Sequence, residues 1–88
     1  SRAVYGEGLY RCPRCGVVAP PGRDAAALAR GQWEPACPTP TCGATLEVVA
    51  THEDAPCLPR SVYAATKLAQ EHLCRVVGAA YGFRTVVL

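Results

Sequence analysis

The sequence predicts an α/β chain in which a strand end, a long helix and a second strand are interrupted by a small four-cysteine ribbon. Three observations carry this reading. Two cysteine pairs, Cys12/Cys15 and Cys37/Cys42, lie in a stretch with little helical periodicity. Apolar residues recur at helical spacing between Ser61 and Tyr81. The closing FRTVVL is β-branched and apolar, the composition of a strand covered on both faces.

Taken in order, residues 1–9 (SRAVYGEGL) read as the end of a strand, with a β-like Ala3-Val4-Tyr5, followed by a glycine-punctuated loop. Residues 10–50 hold both cysteine pairs, most of the prolines and the single tryptophan. Within them Val17-Val18 and Leu46-Glu47-Val48-Val49 are candidate ribbon strands, and the alanine-rich stretch from Arg23 to Arg30 a short helix. Trp33 is expected to pack against this subdomain. Residues 51–88 open with a polar, proline-broken loop to Arg60 and continue as helix 61–81 and strand 83–88.

The helix has sequence signals at both ends. Ser61 suits the N-cap and Gly82 the C′ position, and Arg75 lies in the C-terminal half, where the helix dipole favours it. Val62, Ala65, Ala69, Leu73, Val76 and Ala80 form one apolar stripe. Gly78 costs about 1 kcal/mol relative to alanine. A helix feeding a strand points to α/β layering, although 88 residues are too few for a doubly wound sheet. The expectation is one small domain, or a piece of a larger one.

Net charge is +2, and a zinc tetrathiolate would bring it to zero, so nucleic acid is not an expected partner. No apolar run is long enough to span a membrane and no signal peptide is evident. That favours a cytoplasmic protein with reduced thiols over a disulfide framework.

Cys12-Pro-Arg-Cys15-Gly and Cys37-Pro-Thr-Pro-Thr-Cys42-Gly are two knuckles of one design. Each short loop places two sulfurs on one side of an ion, and zinc takes four thiolates in a tetrahedron. Four protein ligands leave no open position, so the expected Zn2+ is structural. Redox-active or disulfide-forming cysteine pairs are the alternative. Cys57 and Cys74 fall outside the pattern and read as ordinary free thiols.

Tyr63 and Lys67, four residues apart, share a helix face. Two solvated neighbours are the plain interpretation. The chemical one has the ammonium favouring the phenolate so that the phenol can exchange protons near neutrality. A tyrosine ordinarily titrates near 10, so this takes about 4 kcal/mol. A charge about 6 Å away, at an effective dielectric of about 20, supplies only about 3 kcal/mol. A second positive charge would close the gap.

The residues also carry a family resemblance. SVYAATK, Ser61 to Lys67, resembles the Y-x-x-x-K helix of extended short-chain dehydrogenases/reductases, the NAD-dependent nucleotide-sugar epimerases and dehydratases. SRAVYGEG resembles the segment in which their catalytic Ser or Thr is followed by V-Y-G, and GFRTVVL resembles their next core strand. The resemblance makes the chain a partial Rossmann-type segment. Residues 10–50 become an insertion, whose RCPRCG and WEPACP resemble a bacterial 4-epimerase type acting on a dTDP-linked 6-deoxyhexose.

The resemblance implies roles. Tyr63 would be general base and acid at a sugar 4-hydroxyl; Lys67 would favour its ionisation and hold the nicotinamide ribose; Ser1 would hydrogen-bond the same sugar oxygen. NAD would be the cofactor, its oxidised ring supplying the second positive charge, and a nucleotide-sugar the substrate. The family's dehydratases place an Asp-Glu pair after the catalytic hydroxyl. Here Arg2 and Ala3 stand there, which favours epimerase. The corresponding helix packs in a homodimer in this family, so helix 61–81 is a possible dimer surface. No G-x-x-G-x-x-G cradle for a pyrophosphate is present. The chain is therefore expected to be an internal fragment, inactive alone. The competing reading is a free-standing zinc-ribbon module binding protein or nucleic acid.

Overall fold

A computed structural model describes residues 1–88. The chain forms two compact units: Ser1–Gly6 with Cys57–Leu88, and Glu7–Pro56.

In the first unit Arg2–Tyr5 forms a single 3-10 turn capped by Ser1, whose Oγ accepts from the Ala3 amide at 3.4 Å. The strand end expected here is thus a helical turn. A strand exists only as a ladder, and no segment of the chain pairs with these residues. Val4 is the buried residue of the turn, and its carbonyl accepts from the Leu58 amide at 2.8 Å.

Gly6 ends the turn at φ 62°, ψ −121°. A Cβ here would run into the Leu58 carbonyl oxygen. Left-handed backbone costs a residue with a side chain about 1–2 kcal/mol, before the clash is counted. Gly6→Ala should therefore destabilise this unit by more than 1–2 kcal/mol. A lowered thermal midpoint is expected; an unchanged one would contradict this packing.

The helix expected over 61–81 forms as Val62–Tyr81. Ser61 Oγ accepts from the Ala64 amide at 3.0 Å, and Gly82 closes the helix in the left-handed region. The buried face differs from the expected one. Val62, Leu73 and Val76 are 83%, 62% and 66% exposed, and Ala65, Ala69 and Ala80 are exposed too. Ala64 and Gly78 are buried instead, with Lys67, Leu68 and Glu71 half-buried. Small residues decide this: they let backbone approach closely. At Gly78 a Cβ would meet the Thr85 hydroxyl. The glycine that weakens the helix intrinsically is what admits the chain beside it.

The strand expected over 83–88 is not formed, and Phe83, Val86 and Leu88 are exposed. No strand lies beside it to build a ladder. Its start is tied to the helix, with the Phe83 amide bonded to the Gly78 carbonyl at 2.8 Å and Thr85 Oγ1 donating to the Cys74 carbonyl at 3.3 Å.

The second unit is a three-stranded antiparallel sheet in the order β2-β1-β3, with β1 Tyr10–Cys12, β2 Gly16–Val18 and β3 Glu47–Val48. Tyr10 faces Val18 on one side and Val48 on the other. Along β1, Tyr10 and Cys12 point inward and Arg11 outward, the alternation of a half-buried strand. A short helix, α1, covers Ala25–Ala29, its Asp24 carboxylate accepting from the Ala27 amide at 3.1 Å. The helix described above, Val62–Tyr81, is α2. The sheet's core is Tyr10, Cys12, Cys37 and Leu46, flanked by Val18, Cys42 and Ala44. Trp33 is 65% exposed, against expectation. This core is filled by one tyrosine, one leucine and the thiols, and it leaves the indole outside.

Candidate functional site

The first knuckle is the loop of the β1–β2 hairpin. Cys12 ends β1 opposite Gly16, which at φ 78° lets the backbone fold under the sulfurs. The second knuckle is held by an antiparallel bridge between Ala36 and Thr45, with the Cys37 amide donating to the Ala44 carbonyl at 3.3 Å. Within it the Cys42 amide returns to the Thr39 carbonyl at 3.2 Å.

These loops bring all four sulfurs within 4.8 Å of one another. Cys42 Sγ lies 3.6 Å from that of Cys12 and 3.8 Å from that of Cys15. A tetrahedron with metal–sulfur bonds of about 2.3 Å has edges of about 3.8 Å, so the spacing fits a tetrathiolate metal site. Cys12 and Cys37 are buried, Cys42 half-buried and Cys15 exposed. Cys57 and Cys74 are exposed and stand outside the cluster.

The thiols of the two knuckles differ in their electrostatics. Hydrogen bonds from the Thr39 side chain and backbone lead in drawing Cys37 down to about 7, against a smaller opposing effect of burial. At Cys42 the Ala44 amide pulls down, but burial and the sulfurs of Cys12, Cys15 and Cys37 outweigh it and push the thiol to about 11. Without a metal the cluster therefore resists carrying several thiolates at once. Zinc binding at pH 8 should expel at least the Cys42 proton, visible as a dependence of calorimetric heat on the buffer's ionisation enthalpy. Heat independent of the buffer would contradict it. Thr39 was not singled out in the sequence; the signal was Cys-x-Thr inside a knuckle, which puts a hydroxyl and an amide two residues past a sulfur.

The other candidate residues lie on and beside α2. Lys67 Nζ sits 5.4 Å from the centroid of the Tyr63 ring and donates to Gln70 Oε1 at 3.3 Å. The first contact is a cation–π pair produced by the four-residue spacing. Gln70, also absent from the expected set, is reached because i and i+3 share a helix face. Tyr63 is 61% exposed.

Ser1 and Lys67 both line a cleft of about 310 Å³ whose other walls include Gln70, Glu71, Cys74 and residues 85–88. Tyr63 is not part of its lining. Thus Lys67 is shared: it contacts the Tyr63 ring and also lines the Ser1 cleft. A pyrophosphate finds no glycine-rich turn in this sequence.

The sequence is 41% identical over 75 residues to a dTDP-L-rhamnose 4-epimerase from Burkholderia thailandensis. The match covers 85% of the chain but only 19% of that protein's length. No solved structure matches the chain significantly. The NAD dependent epimerase/dehydratase family matches residues 39–88, a span that takes in Cys42 and the whole of α2. With more than half of its residues inside that match, the chain belongs to the NAD dependent epimerase/dehydratase family.

Proposed function

We propose that the chain is the part of an NAD-dependent nucleotide-sugar 4-epimerase that carries Ser1, Tyr63 and Lys67, with residues 10–50 a zinc-ribbon insertion between them. The observation that carries this is Lys67 placed against the Tyr63 ring while lining the same cleft as Ser1. Family membership gives that arrangement a chemistry, and the rhamnose 4-epimerase relative points to a dTDP-linked 6-deoxyhexose.

Bound NAD would supply reversible hydride transfer at sugar C4. The chain's residues then handle the proton. Tyr63 Oη accepts it from the 4-hydroxyl as the alcohol becomes a ketone, and returns it after the sugar has presented its opposite face. Lys67 sets its charge beside the Tyr63 ring, and its ammonium offers a donor to a ribose. The Ser1 hydroxyl donates to the sugar oxygen. Arg2 and Ala3 offer no carboxylate for an elimination, so the reaction stops at epimerisation.

The ribbon reading on its own, with nucleic acid as partner, is disfavoured by charge. In Glu7–Pro56 four arginines face six acids, a net charge of 4 − 6 = −2, and a zinc tetrathiolate adds −2 more. A phosphate backbone is repelled by such a unit. The exposed apolar stripe of α2 supports packing of this helix against a second copy. No helix is long and apolar enough to cross a membrane; a cytoplasmic setting fits the reduced thiols.

The test is calorimetric and enzymatic. The 88-residue chain, having no pyrophosphate cradle, should show no NAD binding at millimolar cofactor, while the full-length protein should bind NAD and epimerise the sugar. Tight binding by the chain alone, or a full-length protein inert toward nucleotide-linked 6-deoxyhexoses, would overturn the proposal.

A further inference from the structure

The four sulfurs are alike in sequence but unlike in access. Cys12 and Cys37 belong to the sheet's core at 2% and 7% exposure, whereas Cys15 is exposed and Cys42 half-buried. Cys42 is the sulfur shared between knuckles, within 3.6 Å of Cys12 and 3.8 Å of Cys15. An oxidant arriving from solvent therefore meets Cys15 first, and an accessible second sulfur already stands beside it on the other loop.

We infer that the ribbon is a peroxide-sensitive redox switch that closes by a Cys15–Cys42 disulfide across the two knuckles, an inference resting on the zinc reading above. The Cys15 thiolate attacks hydrogen peroxide: an S–O bond forms, the O–O bond breaks, and the departing hydroxide is protonated to water. The Cys42 thiolate then attacks the Cys15 sulfur: the S–S bond forms, the S–O bond breaks, and the second hydroxide leaves as water. Two thiolates give up two electrons and the peroxide accepts both. The ion keeps only the Cys12 and Cys37 sulfurs and is released. The new bond spans 27 positions and joins the loops the metal had joined, so the sheet keeps a crosslink in the oxidised state. A bond within either knuckle would leave the two loops unconnected.

The test uses the chain with Cys57→Ser and Cys74→Ser, which removes the thiols outside the cluster. Zinc is first quantified, then peroxide is added while a chromophoric chelator reports release, and the product is mapped by mass spectrometry without reduction. Trypsin cutting after Arg14 separates Cys12 from Cys15, and fragmentation of the partner peptide separates Cys37 from Cys42. The expected result is one zinc released per Cys15–Cys42 disulfide, with rebinding after a dithiol reductant. Zinc present at the outset but retained under peroxide, or lost with Cys12–Cys15 or Cys37–Cys42 pairing, overturns the inference alone. Absence of zinc before oxidation overturns the metal reading and the inference with it.

Discussion

Tyr63→Phe in the full-length protein is expected, on the proposed mechanism, to lower kcat by about 10²–10⁴-fold, the usual worth of a general acid–base group, while the fold survives. The substitution removes one oxygen from a ring that is mostly exposed, so little packing is at stake. The Lys67 ammonium keeps its ring partner, because a cation–π contact does not need the hydroxyl. Loss of activity with folding intact would thus report proton transfer. Lys67→Met should also slow turnover. It should weaken NAD binding as well, since a ribose donor goes with it. Near wild-type turnover by folded Tyr63→Phe would return the pair to two neighbours on a helix.

Removing the proposed metal should have the other large effect, on structure rather than chemistry. Two of the four residues at the sheet's core are Cys12 and Cys37, so the proposed ligands are also the packing. The remaining pair, Tyr10 and Leu46, contributes only about 2–3 kcal/mol each by burial. A structural zinc is worth about 10–16 kcal/mol in apparent binding free energy at neutral pH. Cys12→Ser, or a strong chelator, should therefore abolish hydrogen-exchange protection of the β1, β2 and β3 amides and leave those of α2 protected. Cys37→Ser should do the same, lowering zinc content before it touches turnover. Sheet amides that stay protected after verified metal loss would show that the ribbon stands without an ion.

The parts legible in the sequence were those decided locally. The knuckles could be read because two sulfurs per short loop is a property of a few adjacent residues. The ends of α2 could be read because Ser61 and Gly82 act on the amides and carbonyls of their own turns. The buried face of α2 could not, since that choice belongs to whatever packs on it. Ala64 and Gly78 are weak hydrophobic signals, yet they are the buried positions of the helix, whereas the stronger stripe through Leu73 and Val76 is exposed. FRTVVL has the composition of a strand but no partner here, and composition cannot supply a ladder. At Ser1 the structure shows a duty the sequence did not, capping the 3-10 turn. The Tyr63/Lys67 spacing was plain, but that Lys67 also lines the Ser1 cleft depends on where residues 85–88 run beside the helix.

The most direct measurement of the central claim follows the hydrogen at sugar C4. Full-length protein with NAD and a dTDP-linked 6-deoxyhexose is incubated in deuterium oxide, and the two C4 epimers are resolved by NMR. Transient oxidation at C4 predicts interconversion with the original C4 hydrogen retained, because the hydride never exchanges with solvent and Tyr63 moves only the hydroxyl proton. Deuterium at C4, or no second epimer from a folded protein that binds NAD, would contradict it.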